Sequence, residues 1–182
     1  MRIQDIRSGK DMSDKSHKPL LKLDDTDKEI LRVLQEDCTL SLKEIRKKVE
    51  GKLDKRVPTT TIHSKIYQME KDGFILCRKA ILNAKLLDQG VTAYIFLSYA
   101  KIPKATRGMS ARKIIEQLEG LPGVQEIHIL AGERDILVKV KSRNVESLAR
   151  TVWDQIREIN GISQSTTAIV FRTHKEDTQL DI

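Results

Sequence analysis

The second half of the chain has an order of apolar patterns that few folds can accommodate. The sequence VTAYIFLSYA, at residues 91–100, is rich in β-branched and aromatic residues, which is typical of a buried strand. Two further apolar runs, at 124–129 and 136–140, flank the turn-like residues 131–135 and predict a β-hairpin. The sequence SQSTTAIVF, at 163–171, predicts a last strand.

Two amphipathic helices are predicted between these strands. Ser110 can cap a helix that carries Ile114, Ile115 and Leu118. Asn144 can cap a second helix, whose apolar stripe at helical spacing consists of Leu148, Val152, Ile156 and Ile159. The resulting order β-α-β-β-α-β predicts an α+β, ferredoxin-like domain, with two helices on one face of an antiparallel sheet. The other sheet face would be uncovered, so we expect a second copy to cover it in a dimer.

The first half of the chain predicts three short helices. Acidic residues at 24–27 begin a helix over about 25–36, and Ser41 with Glu44 forms a capping box that begins a second. A loop at 50–57 is expected to lead to a third helix. Three such helices, with the last one polar on its outer side, predict a helix-turn-helix unit.

The third helix, VPTTTIHSKIYQMEKDGFI at 57–75, has one apolar stripe formed by Ile62, Ile66 and Met69. Pro58 favours a helix start, and Gly73 stands where a glycine ends a helix in the left-handed conformation. The opposite face is rich in hydroxyl groups and poor in acids, which suits a DNA major groove. An ordinary solvated helix face is an equally good interpretation of this helix by itself.

Positive charge is concentrated around the third helix. The whole chain has a formal charge of +7, and residues 43–79 hold eleven basic against five acidic side chains. Such a segment attracts phosphate backbones without reading their sequence. The polar, basic residues 1–22 are expected to be a disordered tail with no specific role.

The two cysteines and the hydropathy favour a cytoplasmic protein. Cys38 and Cys77 have no metal-ligand spacing and indicate neither a zinc site nor a disulfide framework. No apolar run approaches the length of a membrane span, and we expect no membrane partner. His17, His63, His128 and His174 are scattered, and no nucleophile, phosphate-loop or paired-carboxylate motif occurs, so the sequence supports neither a catalytic nor a metal site.

Taken together, these segments resemble the Lrp/AsnC, or feast/famine, transcription regulators of archaea and bacteria. The sequences that carry the resemblance are LDDTDKEILRVLQED, SLKEIRKKV, PTTTIHSKIYQMEKDGFI and AGERDILVKV, in that order between residues 23 and 175. The resemblance implies a helix-turn-helix (winged-helix-like) DNA-binding domain at 23–78, a strand linker at 79–91, a regulatory domain at 92–175 and a tail at 176–182. It also implies a regulator that binds double-stranded DNA, forms dimers and often octamers, and senses an amino acid, with no other cofactor.

This sequence departs from the family pattern in two places. EGKLDKRVP is longer than the usual turn before the third helix, so a loop or small wing is expected there, and any of Lys52, Lys55 and Arg56 could approach phosphates. Lys65 stands where the family usually has an arginine, and lysine lacks the bidentate fork of the guanidinium group.

The resemblance assigns two groups of residues to the DNA interface. Base-edge contacts would come from the outer face of the third helix and set sequence preference, whereas phosphate contacts would set orientation and affinity. The first group is Thr60, His63, Ser64 and Tyr67, with Gln68 beside them. The second group is Arg56, Thr59, Thr61, Lys65 and Lys71.

For the effector, the resemblance places a pocket at the predicted hairpin. Gly132 would let the ligand approach the backbone, Asp135 would pair with an α-ammonium group, and Arg134 beside Glu133 would favour an acidic ligand or be solvated. The opposing wall would come from a neighbouring subunit, through Ser165, Thr166, Thr167 and Ala168. A plain turn is an equally good interpretation, with a positive φ at the glycine and Asp135 capping its own backbone.

Two other functions remain open from the sequence. Siroheme decarboxylases resemble the same two-domain plan, and such an enzyme would need a tetrapyrrole pocket and would absorb visible light when purified with its ligand. A metabolite sensor that acts through other proteins would show no affinity for DNA despite its basic segment.

Overall fold

The structure, a computed structural model, describes residues 22–100 and 107–182, with side chains from residue 111 onward in the second range. The chain divides into two compact units. We call the first the helical unit; its described residues are 22–80 together with Asp177–Ile182. We call the second, Ile81–Glu176, the sheet unit. The expected tail at residues 1–22 falls almost entirely outside the described residues.

Three helices form the helical unit, as the sequence predicts. They are α1 (Asp25–Glu36), α2 (Leu42–Leu53) and α3 (Thr59–Asp72). Capping boxes begin both α1, through Asp24 and Asp27, and α2, through Ser41 and Glu44. Their shared core consists of Ile30, Leu31, Val33, Ile45, Val49, Val57, Ile62, Ile66 and Met69.

The expected loop at 50–57 is wrong in its first half. Helix α2 continues to Leu53 and ends at Asp54, whose φ of 45° is left-handed. A glycine at position 51 weakens a helix by roughly 1 kcal/mol relative to alanine. Leu53 packs against the core and offsets that loss. The extra residues therefore lengthen α2, and the described part of the helical unit contains no strand that could form a wing.

The sheet unit has the predicted ferredoxin-like order. Its elements are β1 (Val91–Tyr99), α4 (Arg107–Glu119), β2 (Val124–Ile129), β3 (Ile136–Ser142), α5 (Val145–Arg150) with a π-helical continuation (Thr151–Ile156), and β4 (Ile162–Ile169). The strands are antiparallel in the order β2-β3-β1-β4. Asn144 caps α5 by accepting a 2.8 Å hydrogen bond from the Ser147 N–H. The predicted stripe from Leu148 to Ile159 is buried against the sheet.

Three boundaries differ from the prediction. Residues 79–90 contain no strand: a turn occupies 84–88, and pairing begins at Val91, opposite Ser142 at the end of β3. Helix α4 begins at Arg107, before the expected cap at Ser110, and residues 101–106 of the expected loop lie outside the described residues. Asp177–Ile182 is not a separate tail but part of the helical unit. In the described ranges, no helix has both the length and the apolar character needed to cross a membrane.

Candidate nucleic-acid interface and effector site

The structure orients α3 as the sequence predicts. Ile62, Ile66 and Met69 are buried in the core of the helical unit, with 0, 4 and 3% exposure. The opposite face exposes a continuous polar surface made of Thr60, His63, Ser64, Tyr67, Gln68 and Lys71. Thr59 and Thr61 are half-buried at its edge. The Tyr67 side chain is 62% exposed, so the largest group on this face does not serve the core.

The chain enters α3 through a turn that α2 holds in place. The Glu50 carboxylate accepts a 2.9 Å hydrogen bond from the Val57 N–H, and Val57 is buried. The other carboxylate oxygen lies 3.7 Å from Nε of Arg46. Glu50 therefore fixes the start of α3, a role that the sequence did not reveal because we placed Glu50 in a loop.

Lys65 does not stand free beside the exposed face. Its ammonium group donates to Asp24 at 2.7 Å and to Asp27 at 2.8 Å, and its side chain is only 24% exposed. Burial acts to lower the pKa of Lys65, but the bonds to Asp24 and Asp27 outweigh it and raise the pKa. The bond from Lys65 also lowers the pKa of Asp24 to about 2. Contrary to our expectation of a phosphate contact, this lysine joins α3 to the first turn of α1.

We expect Lys65→Met to return the pKa of Asp24 toward its ordinary value, because the hydrogen bond and the charge are both lost. The native pKa lies below the unfolded value of 3.8, so the stabilisation is present above 3.8 and is lost as the pH falls to about 2. Asp24 is 58% exposed, and solvent screening limits the loss at neutral pH to about 1 kcal/mol. Carboxyl ¹³C titration and urea unfolding measure the two effects. Lys65→Arg is the control, since it keeps the charge. An unchanged pKa of Asp24 in the methionine variant would show that Lys65 does not bond Asp24.

Other cations around α3 are available to a ligand. Lys52, Lys55, Arg56 and Lys71 are exposed, and none of them forms an ion pair with another described residue. Gln68, by contrast, donates to Asp72 at 2.8 Å on the same helix. The surface therefore combines hydroxyl, imidazole and amide groups with unpaired positive charge, the groups that contact bases and phosphates.

At the other end of the chain, Asp135 ties the predicted hairpin to the end of β1. Its carboxylate accepts a 2.8 Å hydrogen bond from the Tyr99 N–H, and its own N–H donates to the Leu97 carbonyl at 2.9 Å. Burial, together with the nearby charge of Asp135, raises the pKa of the Tyr99 hydroxyl. Asp135 thus bonds to β1 rather than capping its own backbone.

The rest of the hairpin is partly ordered by contacts that the sequence did not indicate. Arg134 is half-buried and donates to Gln164 at 2.9 Å and to Ser98 at 3.3 Å, so it is not simply solvated. Gly132 does not have a positive φ, and a Cβ built there would meet no atom within 4 Å. The plain-turn interpretation, which required a positive φ at Gly132, is therefore wrong on this point. Glu133 is exposed.

Only the beginning of the proposed β4 wall lies beside the hairpin in this chain. Ser165 pairs with Leu97 and is half-buried. Thr166, Thr167 and Ala168 are exposed and pair with residues progressively farther from the hairpin along β1. Ser98, Tyr99 and Gln164 were missed, because strand residues gain such neighbours only through sheet pairing.

The fold and the exposed face of α3 define a DNA-binding protein with a helix-turn-helix unit and a ferredoxin-like unit. Comparisons with known proteins support this assignment. The Lrp/AsnC ligand binding domain matches residues 103–180, and a winged helix-turn-helix DNA-binding family matches residues 23–50. An uncharacterised HTH-type transcriptional regulator of Pyrococcus horikoshii is 34% identical over 155 residues, which is 85% of this chain and 97% of that protein.

Solved structures share this architecture. An AsnC family transcriptional regulator from Agrobacterium tumefaciens has a TM-score of 0.75 at 27% identity, over 87% of this chain and 97% of that one. A transcriptional regulator from Neisseria meningitidis, in complex with L-Met, has a TM-score of 0.79 at 23% identity, over 88% of this chain and 97% of that one. The chain belongs to the Lrp/AsnC family of DNA-binding transcriptional regulators, as its sequence motifs indicated.

Proposed function

We propose that this regulator acts as a dimer that presents two copies of α3 to successive major grooves of a pseudo-palindromic DNA site. The observation that supports the proposal is the exposed polar face of α3, opposite Ile62, Ile66 and Met69, which are buried in the core. Thr60, His63, Ser64, Tyr67 and Gln68 would lie near base edges. Arg56, Thr59, Thr61 and Lys71 would contact phosphates, and Lys65 would position α3 instead.

The open face of the sheet supports a dimer. Ala93, Ile95 and Leu97 point into the core, so the alternate residues of β1, including Tyr94 and Phe96, lie on the opposite face. Phe96 pairs there with Leu137 of β3, and all three side chains remain partly exposed. A second copy would bury this apolar centre. Association of dimers into octamers would follow from further contacts of the sheet units.

We further propose that an amino acid binds at the hairpin and modulates DNA affinity. The structural neighbour from Neisseria meningitidis is described as a complex with L-Met. In this chain, open space beside Gly132 and the carboxylate of Asp135 offer room and charge for an α-ammonium group. The amino acid would change DNA affinity only by binding one assembly or conformation better than another.

Binding of the purified protein to its own upstream DNA and to scrambled DNA, in a salt series with and without amino acids, tests the function. Selective binding that weakens steeply with salt supports the regulator. An effect of an amino acid supports the sensor. No binding to either DNA at low salt would overturn the proposal and favour the decarboxylase-like enzyme or the DNA-independent sensor.

We expect Asp135→Asn to weaken amino-acid binding about tenfold or more, because a charge-assisted hydrogen bond is replaced by a neutral one. The asparagine oxygen can still accept from the Tyr99 N–H, so the hairpin should stay folded. The pKa of Tyr99 should fall toward its ordinary value once the nearby charge is gone. Calorimetric titration and ultraviolet pH titration measure these changes. Asp154→Asn, on an exposed position of the π-helical turn, is the matched control; equal binding by both variants would place the ammonium site elsewhere.

A further inference from the structure

The C-terminal residues of the chain form ordered contacts with α1. The Gln35 carboxamide pairs with the backbone of Leu180: its nitrogen donates to the Leu180 carbonyl at 3.1 Å, and its oxygen accepts from the Leu180 N–H at 2.7 Å. The Gln179 side chain donates to the Gln35 carbonyl at 3.1 Å, and the Arg32 guanidinium donates to the Ile182 carbonyl. Arg32 and Gln35, one turn apart on α1, thus bind three of the residues between positions 179 and 182.

These contacts amount to a docking surface with a defined occupant. A carboxamide that donates to the C=O and accepts from the N–H of one residue holds the chain in an extended conformation, as a neighbouring strand would. The Ile182 side chain is half-buried and packs against the core of the helical unit. Exposed terminal residues are ordinarily unordered unless such contacts hold them. The hydrogen bonds and the apolar contact together favour the docked segment over the same segment free in solvent.

The start of the segment is held by the sheet unit. Glu176, its preceding residue, accepts from Lys139 at 2.6 Å and lies 3.7 Å from the Lys141 ammonium. The Lys139 side chain is only 10% exposed, and its other partner is Glu126 at 3.0 Å. The surrounding cavity of about 300 Å³ is lined by several further basic side chains and by one carboxylate, that of Glu176 itself. A buried ammonium in cationic surroundings holds such a carboxylate strongly.

We propose that Asp177–Ile182 is a strap: held by the sheet unit at Glu176 and docked on α1 at its far end, it makes the stability of the helical unit depend on the sheet unit. The chain otherwise passes between the units at residues 80 and 81, so the strap is a second covalent connection. Its docking surface is the helix whose first turn also bonds Lys65 of α3. Any event in the sheet unit that displaces Glu176 would lower the local concentration of the strap at α1. The proposal does not depend on DNA binding.

Amide hydrogen exchange by NMR on the full-length protein tests the strap. In the wild type, we expect the Leu180 amide to exchange at least about tenfold more slowly than an unstructured amide, because it is hydrogen-bonded to Gln35. Gln35→Ala should remove that protection and accelerate exchange in α1 several-fold. Glu176→Gln should accelerate Leu180 exchange several-fold, since it frees the other end of the strap from Lys139.

Two controls keep the test decisive. Gln117→Ala, the same substitution on an exposed position of α4, should leave Leu180 and α1 unchanged. Ile182→Ser weakens docking without altering any side chain of α1, and should reproduce the effect of Gln35→Ala. An unprotected Leu180 amide in the wild type would refute docking. Protection that survives Glu176→Gln unchanged would refute the strap, since the docked segment would then be independent of the sheet unit.

Discussion

Replacing Ser64 with glutamate is expected to weaken DNA binding about 100-fold or more while the helical unit stays folded. Ser64 is exposed at the middle of the polar face of α3, opposite the buried Ile62, Ile66 and Met69. In the proposed interface, a carboxylate at this position would lose a base contact worth about 1–3 kcal/mol and would be repelled by the negative charge of the DNA. Glutamate has a higher helix propensity than serine, so α3 itself should not suffer. Fluorescence anisotropy with the operator at fixed salt measures the change.

The control for Ser64→Glu is Gln117→Glu, because it changes the net charge by the same amount on an exposed helix of the sheet unit. Its effect on affinity should stay within about threefold, as expected of a charge that does not belong to the proposed interface. A comparable loss in both variants would show that overall charge, and not α3, governs binding. Full affinity in Ser64→Glu would mean that another surface contacts the DNA.

The elements of the helical unit could be predicted because their signals are local. The capping box of Ser41 and Glu44 spans four residues, and the stripe of α3 repeats within two turns. Gly73 ends α3 with a φ of 84°, as its position indicated. The order of strands and helices could also be predicted, because the apolar patterns typical of strands and of helices follow one another in the order of a ferredoxin-like domain.

The contacts that position the functional residues could not be predicted in the same way. Lys65 bonds to carboxylates about forty positions earlier in the chain, so its spacing on α3 suggested only an exposed cation. Gln35 and Leu180 are 145 positions apart in the sequence. The sequence pattern of neither segment predicts this contact, because only the tertiary fold brings the two residues together. The prediction of a loop before α3 was wrong for another reason. The glycine and the charged residues suggested a break in the helix, whereas the packing of Leu53 keeps α2 helical.

The hairpin was predicted in place but not in detail. Its two strands have clear apolar runs, so its position followed from the sequence. The role of Asp135 depends on the Tyr99 N–H, and that of Arg134 on Gln164, which are brought close by pairing of β1 with β3 and with β4. The candidate effector site therefore depends on the integrity of the sheet as much as on its own residues.

The second large effect that we expect is a loss of stability of the sheet unit on Gly123→Ala. Gly123, between α4 and β2, has a φ of +83°, and a Cβ there would lie 2.3 Å from the Lys141 carbonyl oxygen. The Lys141 N–H donates to the Gly123 carbonyl at 2.8 Å, so β3 cannot move away without losing this bond. Left-handed backbone costs an alanine roughly 1 kcal/mol, and displacement of the β3 backbone should bring the total to about 3 kcal/mol or more.

A loss of that size is a large fraction of the roughly 5–15 kcal/mol that stabilises a domain, and should lower the midpoint of thermal unfolding by about 10–20 °C. Gly120→Ala is the matched control: its Cβ would meet neighbours at 3.5 and 3.8 Å, an ordinary contact distance. Because the strain lies at one end of the β2–β3 ladder and the hairpin at the other, Gly123→Ala should also weaken the proposed binding of an amino acid at the hairpin. Calorimetry should show the loss in the sheet unit. Equal stability of the two variants would mean that β3 yields to the new methyl group without strain.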